Sequence, residues 1–133
     1  MIHNWIPLKG VGLLKFGTSI DQFVQDGTAV FIDTSDSTGW STYAYDNESL
    51  RINVERGKIV SIACYEQCLL NETDLIGLDF ELIERILGCA TEVNPDVLLI
   101  NEDPQEVFEF DNVGAQVWVK NGRVVTVICD DGN

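Results

Sequence analysis

Two twenty-residue stretches of the chain, residues 45–64 and 110–129, align without a gap at a constant offset of 65. Identical pairs are Asp46/Asp111, Asn47/Asn112, Val54/Val119, Gly57/Gly122, Val60/Val125 and Cys64/Cys129. Conservative pairs are Tyr45/Phe110, Ile52/Val117, Lys58/Arg123, Ile59/Val124, Ser61/Thr126 and Ile62/Val127. A duplication of one folding unit is the expectation. Each copy reads as a strand, a tight turn at Asp-Asn, a second strand, a Gly-containing turn and a third strand. Asn121-Gly122 is a strong hairpin signal because both residues tolerate positive φ, and Arg56-Gly57 holds the same place in the first copy. Leu50, Ile52 and Val54 alternate with Arg51, Asn53 and Glu55, as a strand with one buried face requires; Ala115, Val117 and Val119 alternate with Gln116, Trp118 and Lys120. The third strands, 59–65 and 124–129, are apolar on both faces and read as central.

A helix signal stands before each set of strands. Ser19, with Gln22 at the reciprocal position, predicts a capped helix over 20–26 that stops at Gly27. Asp79 predicts a cap for a helix over 80–87, stopped by Gly88, whose apolar face holds Phe80, Ile83, Ile86 and Leu87. Further strands are expected at 29–33 and 97–100, exposed loops at 33–39 and 101–106, and the connection between copies at 67–74. The expected class is α+β: a single domain, 1–133, with tandem helix-plus-antiparallel-meander repeats at about 10–66 and 75–133 packed together, helices on one side of the sheet. A chain of 133 residues buries about 68% of its unfolded surface and needs no covalent staple.

Charge narrows the function. The chain has 22 acidic residues against 8 basic ones, a net charge of −14. Such a chain repels nucleic acid and anionic lipid and attracts basic partners. The imbalance is one-sided. Residues 1–66 hold 8 acids and 5 bases, whereas 66–111 hold 13 acids against Arg85 alone. We read that span as a docking face for a basic protein, with Glu72, Asp74, Glu102, Asp103, Glu106 and Glu109 as its acids. Aromatic side chains supply affinity in such interfaces. Strand parity puts Trp118 and Tyr65 on the outward face, available as anchors, and puts Tyr43, Tyr45, Phe108 and Phe110 in the core.

Catalytic signatures are not found in the sequence. His3, the one histidine, has no neighbouring Cys or Ser and reads as incidental. Cys64 and Cys68 lack zinc-ribbon spacing, and Cys64 and Cys129 fall at matched strand ends where small buried hydrophobes are expected, so no metal is expected. The glycines near residues 10–17 lack the spacing and lysine of a phosphate loop. No catalytic residue and no cofactor is expected. The opening residues lack a basic stretch followed by a long apolar run, no segment has the roughly 20 apolar residues of a membrane span, and four sparse cysteines fit a reducing compartment. A cytoplasmic monomer that touches neither membrane nor nucleic acid is the expectation.

The segments Gly10-Val11-Gly12-Leu13-Leu14-Lys15-Phe16-Gly17, Gly57-Lys58-Ile59-Val60-Ser61-Ile62 and Leu75-Ile76-Gly77 resemble bacterial immunity proteins of contact-dependent growth inhibition and related polymorphic toxin systems. The repeated helix-plus-sheet plan is similar, in architecture alone, to β-lactamase inhibitor protein. The resemblance implies stoichiometric inhibition of a toxin domain, commonly a nuclease, whose cleft is basic because it must attract phosphate. Alternatives are a nucleic-acid mimic directed at another basic protein, a small-ligand binding or enzymatic domain, and a structural subunit with a broad apolar patch.

Overall fold

The computed structural model describes residues 2–91 and 96–132. Three two-residue strands open the chain: β1 (Trp5–Ile6), β2 (Gly10–Val11) and β3 (Leu14–Lys15). They are followed by α1 (Asp21–Gln25), β4 (Ala29–Thr34), β5 (Ser41–Tyr45), β6 (Leu50–Glu55) and β7 (Lys58–Cys64). A short hairpin, β8 (Leu69–Leu70) and β9 (Thr73–Asp74), leads to α2 (Phe80–Leu87). The remainder is β10 (Asp96–Ile100), β11 (Asp103–Phe110), β12 (Ala115–Lys120) and β13 (Arg123–Asp130), with a 3-10 turn at Asp111–Val113. The class is α+β, dominated by antiparallel sheet.

Eight strands form one sheet in the order β10-β11-β12-β13-β7-β6-β5-β4. Four consecutive strands run outward from the middle in each direction, and β7 pairs with β13 at the centre through Val127↔Cys64 and Cys129↔Ile62. The predicted central strands are central. The turns between β6 and β7 and between β12 and β13 use positive φ at Arg56, Gly57, Asn121 and Gly122, as the sequence requires. Each pair also carries a register irregularity, at Asn53/Val54 and at Trp118/Val119.

One face of the sheet is the core: Leu50, Ile52, Val54, Ile59, Ile62, Val117, Val119, Val124 and Val127 are all buried. Tyr45 and Phe110 are buried with them, and Tyr43 and Phe108 pack at the margin. Phe23 of α1 meets Tyr45 edge-on at 6.1 Å between ring centroids, and Phe80 of α2 stacks on Phe108 at 3.9 Å. Trp5, Val11 and Leu14 bring the small β1–β3 sheet into the same core. That sheet was not read from the sequence, because two-residue strands carry no periodicity.

Several local expectations are corrected. Ser19 is bridged to Lys58 and Asp79 to Arg123, so both residues are held in ladder contact by the sheet. Helix α1 starts after Ile20, with Ser19 Oγ accepting only the Asp21 N–H at 3.1 Å. Asp79 does occupy the N-cap position of α2, but its carboxylate faces Arg123 at 3.6 Å and makes no cap hydrogen bond. Ile86 is exposed; Ile83 is the buried residue of α2. Strand β4 extends to Thr34, and only Asn101–Glu102 of the expected 101–106 loop is a turn, since β11 begins at Asp103. The connection 67–74 is no plain linker: it holds buried Cys68 and the β8–β9 hairpin.

Candidate functional site

The sheet face opposite the core carries two adjoining depressions of about 450 and 440 Å3 that share Ile128. Strand alternation builds them. Because Val117 and Val119 point into the core, Gln116 and Trp118 point out; β13 contributes Thr126 and Ile128 by the same alternation, and Val125 at the register irregularity beside them. The second depression is lined by Tyr65, Ile100, Gln105, Trp118, Val125, Thr126 and Ile128. It is aromatic and aliphatic. Val107, opposite Trp118 in the ladder, shares that outer face and is buried on it.

The first depression differs in chemistry. Its lining includes Glu55, Glu109, Asp130 and Asp131, together with Trp40, Asn53 and Ser61, and contains no lysine or arginine among the described residues. Four carboxylates facing one hollow set up a negative potential that favours an incoming cation. A hydrogen-bond chain joins the two hollows: Trp118 Nε1 donates to Gln116 Oε1 at 2.8 Å, and Gln116 Nε2 donates to Glu109 Oε1 at 2.6 Å. Trp40 Nε1 donates to Glu55 Oε2 at 2.9 Å. Both indoles are thereby fixed in orientation, which lowers the entropy lost when a partner docks on them. Tyr65 is 39% exposed, with the Arg51 guanidinium 6.0 Å from its ring centroid, and partial burial raises its phenol pKa against the opposing pull of Arg51.

The eight residues singled out in the sequence separate into groups. Tyr65 and Trp118 line one hollow, and Glu109 is tied to Trp118 through Gln116. Glu102 lies in the β10–β11 turn with positive φ, Asp103 is bonded to Lys120 at 2.9 Å, and Glu106 is exposed on β11 opposite Val119. Glu72 and Asp74 belong to the separate β8–β9 hairpin. There Asp74 Oδ1 accepts the backbone N–H groups of Cys68 at 3.0 Å and Ile76 at 3.1 Å, a structural task. Glu55, Asp130 and Asp131 were missed because they lie outside the most acidic stretch of sequence; outward strand parity at Glu55 was the signal that could have found it.

Two further features emerge only in three dimensions. His3 is buried, with Nε2 at 2.8 Å from Asp46 Oδ2 and 3.1 Å from Ser49 Oγ, so it fastens the N-terminal segment to the β5–β6 turn and is not incidental. Cys64, Cys68 and Cys129 are buried with their sulfurs all within 4.8 Å of one another. Hydrogen bonding with Cys129 and then with Cys68 brings the Cys64 thiol well below its usual pKa, while burial pushes Cys129 up. No family model, curated protein or solved structure compared with the chain matches it.

Proposed function

We propose that the chain is an immunity-type inhibitor that binds one basic toxin domain on the outer face of its sheet. The observation that carries this reading is the side-by-side placement, on the sheet face opposite the core, of an aromatic hollow and one whose charged lining residues are all acids. The carboxylates of Glu55, Glu109 and Asp130 raise the encounter rate with a cationic surface, and Trp118 and Tyr65 supply the desolvated contact that holds it. Nuclease clefts are basic because they bind phosphate, so a nuclease domain is the target class. Inhibition is by occlusion and uses no catalytic residue, and the compartment is the cytoplasm, where the toxin acts.

The same reading includes the architecture: two copies of one helix-plus-meander unit, joined at β7 and β13, with both helices on the core side. Equivalent contacts support it. Ile59 N–H donates to Thr18 O and Val124 N–H to Leu78 O, while Ile20 N–H donates to Gly57 O and Phe80 N–H to Gly122 O. The register irregularities in the two halves are also 65 residues apart. Side-by-side copies produce one continuous outer face.

The test is co-expression. The C-terminal domain of the protein encoded immediately upstream is expressed in growing cells with and without this chain. Growth is rescued by the native chain and lost again with the double variant Trp118→Ala/Tyr65→Ala. Equal protection by that variant places the interface elsewhere. Broad capture of unrelated basic proteins would instead identify a nucleic-acid mimic.

A further inference from the structure

We infer that Cys64, Cys68 and Cys129 form a buried three-thiolate site for one thiophilic d10 metal ion, Zn2+ or Cu+. The three residues come from separate places, the end of β7, the connection after it and the end of β13, yet their sulfurs lie within 4.8 Å of one another and are closed off from solvent. A metal–sulfur bond of about 2.3 Å puts ligating sulfurs about 4 Å apart, so the side chains need only small rotamer adjustments to close on an ion. Sulfur donors select for Zn2+ and Cu+ over hard cations.

The scaffold holds the donors in place. Cys64 and Cys129 are diagonal neighbours on the core face of the two central strands, in the ladder Val127↔Cys64 and Cys129↔Ile62. Cys68 is pinned from both sides: its N–H donates to Asp74 Oδ1 at 3.0 Å, and its carbonyl accepts the Leu75 N–H at 2.8 Å. That carboxylate is the kind of outer support that fixes a ligand-bearing segment. Ordinary packing asks for small apolar volume at three sites; it does not ask for three sulfurs converging on one point. An ion there would cross-link β7, β13 and the post-β7 connection. The chain's fourth cysteine, Cys89, is exposed and takes no part.

The experiment uses the full chain, reduced and handled without oxygen, titrated separately with Zn2+ and Cu+ against chromophoric chelators. One equivalent of one ion binds, Cys89→Ser retains it, and Cys64→Ser, Cys68→Ser and Cys129→Ser each weaken it at least a hundredfold. X-ray absorption of the loaded wild-type chain, which does not depend on the variants folding, shows three sulfur neighbours. Zinc with an added oxygen neighbour, or copper with sulfur alone, each supports the site and identifies the ion. The inference is overturned by absence of stoichiometric uptake, by a shell dominated by nitrogen and oxygen, by undiminished binding in a folded Cys68→Ser chain, or by a disulfide among these cysteines that forms in preference to metal binding.

Discussion

Asp26 shows how a single exposed residue is tuned. Its Oδ1 accepts the Thr28 hydroxyl at 2.6 Å and the Thr28 N–H at 2.9 Å, and these bonds hold its carboxyl below its ordinary 3.8. A depressed carboxylate contributes stability that is present above the unfolded value and disappears as pH falls through the folded one. A carboxyl-detected NMR titration is therefore expected to place Asp26 below 3.8, and Thr28→Val is expected to raise it; an unmoved midpoint would contradict the contact. Gly114 poses a steric question instead. Its φ is +64°, and a Cβ there would lie 2.5 Å from the carbonyl oxygen of Asp130. Gly17 has φ +81° with nothing near its missing Cβ. Left-handed strain of about 1–3 kcal/mol applies to alanine at either site. Chemical denaturation should show Gly114→Ala as the more destabilising of the two, and equal losses would mean that the close approach yields freely.

At the scale of elements, the sheet ends in two apolar edges. Strand β10 exposes Val97, Leu98, Leu99 and Ile100, and β4 exposes Val30 and Phe31. An edge with free ladder groups and apolar side chains is a template for pairing with another chain. Sedimentation velocity is expected to show association that grows with concentration and is suppressed by Leu99→Lys with little change in stability; a monomer at all concentrations would show that the edges are adequately protected by the surrounding negative charge. The main strands and both helices were legible in the sequence, since alternation in 50–55 and 115–120 and the Gly turns at 57 and 122 are local signals. The caps were not, because the ladder contacts Ser19↔Lys58 and Asp79↔Arg123 join residues far apart in sequence. The same limit hid the cysteine cluster: Cys64 and Cys129 could be matched by the repeat, but Cys68 joins them only through the path of the chain after β7. Trp118 and Tyr65 were legible from parity, whereas the acids that accompany them depend on which strands become neighbours.

For the whole molecule, net charge and architecture point the same way. Two four-strand halves join at their innermost strands, and a chain of net charge −14 carries a negative field that under the proposed function steers a cationic partner. Charge reversal of Glu55, Glu109 and Asp130 should slow association with the proposed basic partner and flatten its salt dependence more than the same change at Glu102, Asp103 and Glu106, where Asp103 is already paired with Lys120. Stopped-flow rates at two ionic strengths distinguish the sets, and equal effects would spread the steering field over the whole surface. No helix among the described residues is long and apolar enough to cross a membrane. The most direct measurement of the proposed function is calorimetric titration of the native chain and of Trp118→Ala/Tyr65→Ala into the candidate basic domain that the co-expression test identifies. One-to-one binding is predicted, weakened by about 30-fold or more in the double variant, which corresponds to about 2 kcal/mol at a desolvated aromatic anchor. Native-like affinity in a folded double variant would contradict binding through the outer sheet face.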